Sequence, residues 1–386
     1  MSARRRVVVT GAGVVSAAGI GVEAFWRACV EGRAALRPPE RFPAARFGPI
    51  LAGEVPGPLA AGEEASCRFA RDAADEAVRA ARLDDGRLPP ASGVVVGSCL
   101  GATLQTLRDA APPEPIAYGG FASPAHRLAD LHRLSGPVMA ISSACTSGLA
   151  AIAAAAGCVR RGEADVMLAG GADALSEFVM SGFSILHVLT TTRVRPFDRR
   201  RDGLALGEGA GMVVLEARDA ALDRGARILA EILGDGSAGD AHHMIGPVTE
   251  GAGLRRAMAA ALDDARLDAG VVDFVAAHGT GTVPSDGMEM TALRDLLGER
   301  AAHVPINSIK AVVGHALGAA GAFGVVMAVR TMVEGIIPPT TNLEEPVEGC
   351  TLDLVAGAAR RRPVRRALTI ASGFGGHNVA LLLGAP

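Results

Sequence analysis

Residues 138–174 read VMAISSACTSGLAAIAAAAGCVRRGEADVMLAGGADA. An apolar run from Val138 to Ile141 gives way to a polar corner, then to a helix of small residues from about Thr146 to Arg160, then to a second apolar run. Both runs are apolar throughout rather than alternating. Each therefore needs cover on both faces, which predicts a buried, largely parallel sheet with helices between its strands. The same order recurs upstream in RRVVVTG (5–11), VEAFWRACVEGR (22–33) and SGVVVGS (92–98). It starts again with the amphipathic GLRRAMAAALDDARL (253–267), the strand VVDFVAAHG (271–279), the helix MEMTALRDLLG (288–298), an apolar helix from Gly314 and the closing LTIASGFGGHNVALLL (368–383). The fold class is α/β. Two successive rounds predict a duplicated architecture with halves at 1–236 and 237–386, the changeover lying where Gly, Asp and Ser cluster near residues 234–250. No residue-level repeat stands out between them.

Composition narrows the function. The 386 residues are 49% hydrophobic and 20% charged, with a formal net charge of −3, which excludes both intrinsic disorder and the chain-wide basic footprint of a nucleic-acid binder. Cysteines at 29, 67, 99, 145, 158 and 350 form no CxxC and no zinc spacing with histidine, so neither a metal site nor a disulfide framework is expected. The apolar run Ala316–Val329 has 14 residues, short of the ~20 that span a bilayer. The opening MSARRRVVVTGAGVVSAAG has arginines and apolar residues as a signal peptide does, but its β-branched triplet and TGAG read as a first strand and turn. The expectation is a cytoplasmic protein without membrane or nucleic-acid partners.

TGAGVVS invites a dinucleotide reading, yet the third glycine of GxGxxG is Ser16. GxxxxGK[ST], HExxH and GxSxG do not occur. Two arginine runs, 193–201 and 360–366, are either solvated faces or docking sites for an acidic or phosphate-bearing partner. Trp26, at helical spacing with Val22 and Val30, is expected in the core.

Chemistry concentrates at four motifs. Cys145, in SSACTSG, sits at a strand-to-helix corner, where unpaired amides and the helix dipole favour the nucleophilic thiolate. His278 ends a strand in HGTGT, and His315 opens the apolar helix in GHALGAAG, so the two imidazoles can converge on one point. Lys310 is the one lysine among 38 cations; 37 arginines show that the chain accepts a guanidinium wherever a generic cation serves, so Lys310 is read as buried, with Glu289 or Asp286 as its anion. Phe374, among the glycines of SGFGGHN, has the setting of a gate with an adjacent amide donor.

Together SSACTSG, RPFDRRRDGLALGEGAGMVVLE, HGTGT, SIKAVVGHALGAAG, PPTTNLEEP and GFGGHN resemble the elongating β-ketoacyl carrier-protein synthases, the ketosynthases of type II fatty acid and polyketide systems, from residue 4 to residue 384. The resemblance implies the thiolase fold, a duplicated five-layer αβαβα body with the nucleophile and cap insertions in its N-terminal half. It implies an acyl-accepting Cys145, decarboxylation assisted by His278 and His315, and Lys310 with Glu289 as a buried polar pair behind them. Thr280 and Thr282 would hold pantetheine, Phe374 would gate, and the amides of Cys145 and Phe374 would form the oxyanion hole. The implied partners are acyl carrier protein and a second ketosynthase-like subunit, identical or not. Substrates would ride on the carrier's phosphopantetheine, with no bound cofactor.

The chain departs from the housekeeping pattern where Ser372 replaces the first phenylalanine of S-F-G-F-G-G, where only Arg193 and Val194 link LTTT to RPFD, and in a trimmed Gly97–Pro137 segment. These changes border the acyl pocket and favour a specialised polyketide or polyene enzyme over housekeeping fatty acid elongation. A non-catalytic chain-length-factor subunit would lack Cys145. A thiolase would need a second cysteine near GFGGHN, and Cys350 lies too far before it.

Overall fold

The computed structural model describes residues 4–59, 63–83, 88–101 and 120–386. Ten strands carry the architecture. The first half supplies β1 (Val7–Ser16), β2 (Gly93–Gly97), β3 (Val138–Ile141), β4 (Val166–Asp173) and β5 (Gly209–Ala217). The second supplies β6 (Ala230–Gly239), β7 (Phe274–Ala276), β8 (Ile306–Asn307), β9 (Arg366–Gly373) and β10 (His377–Gly384). They are ordered β3-β2-β4-β5-β1 and β8-β7-β9-β10-β6, and the halves join where Val7–Val9 pair with Ala230–Ile232. Both halves run first-fifth-fourth-second-third, with the first, fifth and fourth strands antiparallel and the fourth, second and third parallel.

The sheet is thus mixed, not largely parallel. A strand buried on both faces is apolar throughout whichever way its neighbours run, and β1, β4 and β5 are buried at every residue. The chain reaches β10 by a short turn after β9 rather than by a crossover helix.

Helices α1 (Ala65–Ala81) and α2 (Ser123–His132) cover the outer face of the first sheet; α5 (Ala252–Ala265) and α6 (Val283–Leu297) cover that of the second. Between the sheets α3 (Ser147–Arg161) packs on α7 (Ala320–Glu334), giving five layers. The segment Leu317–Glu334, long and apolar enough by composition to cross a membrane, is 67% buried as part of this middle layer. Trp26 is in the core, as expected.

A repeat does exist at residue level. Gly11 and Gly13 lie inside β1, not in a phosphate-binding turn, and a Cβ there would strike the carbonyls of Ala77 and Ala73 on α1 at 2.1 and 1.9 Å. Gly234 and Gly236 lie inside β6, where a Cβ would strike those of Ala261 and Ala257 on α5 at 2.2 and 2.3 Å. In each half G-x-G on the first strand seats A-x-x-x-A on the first helix. The cluster read as a changeover is therefore partly a strand, and the 236/237 boundary falls within it.

The fourth and fifth strands are joined differently in the two halves. In the first, residues 174–208 make a cap that includes α4 (Glu177–Ile185). In the second, the single turn Phe374–Gly376 suffices. Cap and turn face each other over the site.

Candidate active site

Cys145 is placed by a locked corner. After β3 the chain turns through Ala144, which holds a left-handed φ of 53°, a conformation costing a non-glycine residue ~1 kcal/mol. Ser147 Oγ donates to the Ala144 carbonyl at 2.5 Å and accepts from the Ser143 amide at 2.9 Å, while Thr146 Oγ1 donates to the Ser143 carbonyl at 2.7 Å. The sulfur is thereby buried just ahead of α3. Gly373 crosses so closely that a Cβ on it would lie 3.1 Å from the Cys145 nitrogen. The amides of Phe374 and Cys145 face the sulfur. Burial nevertheless pushes the thiol up to about 11, against the pull of the Lys310 charge. Desolvation thus works against the thiolate expected from the helix terminus more strongly than Lys310 and the amides work for it.

The histidines arrive from the other half. His278 follows β7, and His315 precedes α7 at the position matching Cys145, between third strand and central helix. Their rings stand edge to face with centroids 5.4 Å apart. His315 Nδ1 accepts the Leu317 amide at 3.2 Å, and His278 Nδ1 lies 3.4 Å from Lys310 Nζ. With both Nδ1 atoms acting as acceptors, each neutral ring carries its proton on Nε2. Burial, then the charge of Lys310, holds both imidazoles well below their ordinary 6.5, with His315 a further repulsion on His278.

Lys310 is buried, as its isolation in the composition predicts, and the Glu289 charge acts on it without touching it. Among the described residues it forms no ion pair with Glu289 or Asp286. Its ammonium donates to the His278 carbonyl oxygen. Glu289 accepts the amides of His278 and Gly279 at 2.6 and 2.7 Å. The two charges thus grip one peptide from opposite sides, and the support is given to His278. Burial lowers Lys310 below its usual range and raises Glu289 above its own. Asp286 accepts the amides of Phe197, Thr280 and Gly281 at 2.7, 2.9 and 3.1 Å, and burial raises it to about 6.

Cys145, His278, His315, Thr280, Thr282 and Phe374 all line one cavity of about 160 Å³. The Thr280 and Thr282 hydroxyls are 2.9 Å apart at its wall. Cys350 packs against the second half's core, away from the cavity. Three contributors were not singled out from the sequence. Phe183 on α4 stacks on Phe374 with centroids 5.7 Å apart. Asp173, at the end of β4, accepts the amides of Cys99, Leu100 and Gly318, fixing the backbone beyond His315. Asn378 bridges Ser372 and Asp240 at 2.7 and 2.9 Å, so the hydroxyl standing where a phenylalanine was expected is bonded. The charged end of a wholly apolar strand was a legible signal for Asp173; Phe183 had none. Of the trimmed segment, residues 102–119 lie outside the described residues.

Residues 4–221 match the model for the β-ketoacyl synthase N-terminal domain and residues 229–344 that for its C-terminal domain. The chain belongs to the β-ketoacyl synthase family. This synthase is 39% identical, over 99% of its length and 98% of the relative's, to a Streptomyces halstedii protein named as polyketide beta-ketoacyl synthase 1. It is 37% identical to the 3-oxoacyl-[acyl-carrier-protein] synthase 2 of Vibrio harveyi, with 98% of each chain covered. The solved ishigamide ketosynthase/chain length factor superposes with a TM-score of 0.92 at 34% identity over the whole of both chains. The αβαβα body is that of the thiolase-fold ketosynthases, and the activity class is acyl transfer with condensation.

Proposed function

We propose that the synthase joins a Cys145-bound acyl chain to malonyl carried on acyl carrier protein, in a specialised type II polyketide or polyene pathway of the cytoplasm. The observation that carries the reading is the pair of imidazoles, each engaged at Nδ1, lining the cavity that holds the cysteine. Cys145 attacks the primer thioester; its proton leaves with the pantetheine sulfur, so the exchange is proton-neutral and a resting thiol suffices. Malonyl thioester then enters along Thr280 and Thr282. As carbon dioxide departs, charge gathers on the thioester oxygen, where His278 and His315 donate. The C2 carbanion attacks the acyl carbonyl, the amides of Cys145 and Phe374 receive its oxyanion, and the thiolate leaves. One such donor typically contributes ~3 kcal/mol. Lys310 and Glu289 act by holding His278, and no cofactor beyond the carrier-borne thioesters takes part.

The polyketide assignment is supported by Ser372, which lines the cavity, by the short 193–194 link, and by relatives of that kind; fatty acid elongation is the alternative, given a synthase 2 of similar identity. A ketosynthase-like subunit is the expected neighbour, by analogy with the ishigamide pair. Cys145→Ala should abolish the acyl adduct that mass spectrometry detects after mixing with acyl carrier protein, with an unchanged melting temperature. An adduct persisting in that variant would sink the assignment. The carrier products formed from a primer series would separate the two pathways.

A further inference from the structure

Beside His278, which lines both, lies a second and much smaller cavity of about 20 Å³, lined by Lys310, Val313, Gly324, Met327 and Thr369 among others. It is closed by α7 on one face and by β7 and β9 on the other. Thr369, 1% exposed, lines it, and the Thr369 hydroxyl has no partner among the described residues. Burying a hydroxyl unpaired is costly, so such an atom calls for an explanation. Lys310 lines the same space. Its ammonium has three N–H groups, one donated to the His278 carbonyl and one facing His278 Nδ1.

We propose that this cavity binds a single water molecule, which accepts the remaining N–H of Lys310 and pairs with Thr369 Oγ1. The volume is that of about one water, and the site offers the two polar partners a buried water requires. A metal cation in its place would sit against the ammonium and be repelled. Thr369 then becomes a positioning residue. Through the water it fixes the ammonium that holds His278 Nδ1 and so keeps the proton of that ring on Nε2. The idea rests on the condensation reading above. The titratable groups around Lys310 are Glu289 and Asp286 on α6, Cys145 at the corner, and the two histidines.

The test is a crystal structure of the wild type together with pH profiles of malonyl-carrier decarboxylation. A solvent peak between Lys310 Nζ and Thr369 Oγ1 is expected; an empty cavity overturns the proposal whatever the enzyme does. Thr369→Val should move the alkaline limb down by about one pH unit, the size of one lost hydrogen bond to a charged group. Cys145 acylation should stay within twofold, and Thr369→Ser should restore the wild-type profile. Gly324→Ala places a methyl 3.1 Å from Thr369 Cγ2 and should shift the limb in the same direction, so the test survives if Thr369→Val fails to fold. Profiles of both variants that superpose on wild type overturn the proposal. A wild type that does not decarboxylate malonyl carrier refutes the condensation reading instead, and the crystal then decides the water alone.

Discussion

At Lys310 charge alone is not the requirement. The ammonium reaches both the carbonyl and Nδ1 of His278 from a position 7% exposed, and a planar guanidinium fits neither the space nor the geometry. Lys310→Arg should lower condensation at least ~100-fold, about the loss of one charged hydrogen bond plus misalignment, while Cys145 acylation persists. Wild-type turnover in this variant would refute the requirement. The pH dependence follows from the same burial. Imidazoles held well below 6.5 are neutral throughout the physiological range, so an acid limb in that range belongs to Asp286, raised to about 6, or to Glu289, raised to about 7, and not to the histidines. Lys310, lowered from 10.5, loses its proton earlier than an ordinary lysine, so decarboxylation should fall on the alkaline side below that value. An imidazole of His278 or His315 that titrates at 6.5 by NMR would contradict the neutral assignment. The buried lysine was legible because composition isolates it; its hydrogen-bond acceptor was not, because a backbone carbonyl leaves no letter in the sequence.

Among the elements, the first strand and first helix of each half depend on a missing Cβ. Gly13→Ala and Gly236→Ala each force strand and helix apart against a carbonyl, and should each cost ~2–3 kcal/mol in chemical denaturation, the upper part of the overpacking range. Gly287 on α6 has nothing within 4 Å of its Cβ position. Gly287→Ala should instead stabilise by ~0.5–1 kcal/mol through helix propensity. Equal costs at all three positions would refute the contact. The strand-corner-helix at Cys145 was readable from residues 138–161, since both elements are long enough to show their periods. The antiparallel partners of β1, β4 and β5 were not, since burial on both faces erases the alternation that would distinguish them. GAG and GDG were legible as letters, but they read as turn punctuation because a strand glycine signals only when its facing helix is known.

For the whole molecule the exposed end of the sheet is where pairing with a second chain is expected. β3 is the last strand, its Ala140 is exposed, and Val138, Met139 and Ile141 are only half-buried. Among the described residues no strand pairs with its outer edge. An apolar, unpaired edge is a template for a second chain. Ala140→Pro removes an edge donor and should shift the synthase toward monomer in size-exclusion chromatography with light scattering. An unchanged dimer would place the interface elsewhere.

Cys145 and His315 occupy the same point in the two halves, each at the corner between third strand and central helix. A symmetric assembly of identical halves would have to put the same residue at both corners, giving two nucleophiles or two proton donors but never one of each. Joining the halves in one chain removes that constraint. Each corner can diverge while the helix packing that aims them at a common point stays shared, so the proposed division of labour between attack and charge stabilisation is a property of the covalent link as much as of the residues themselves.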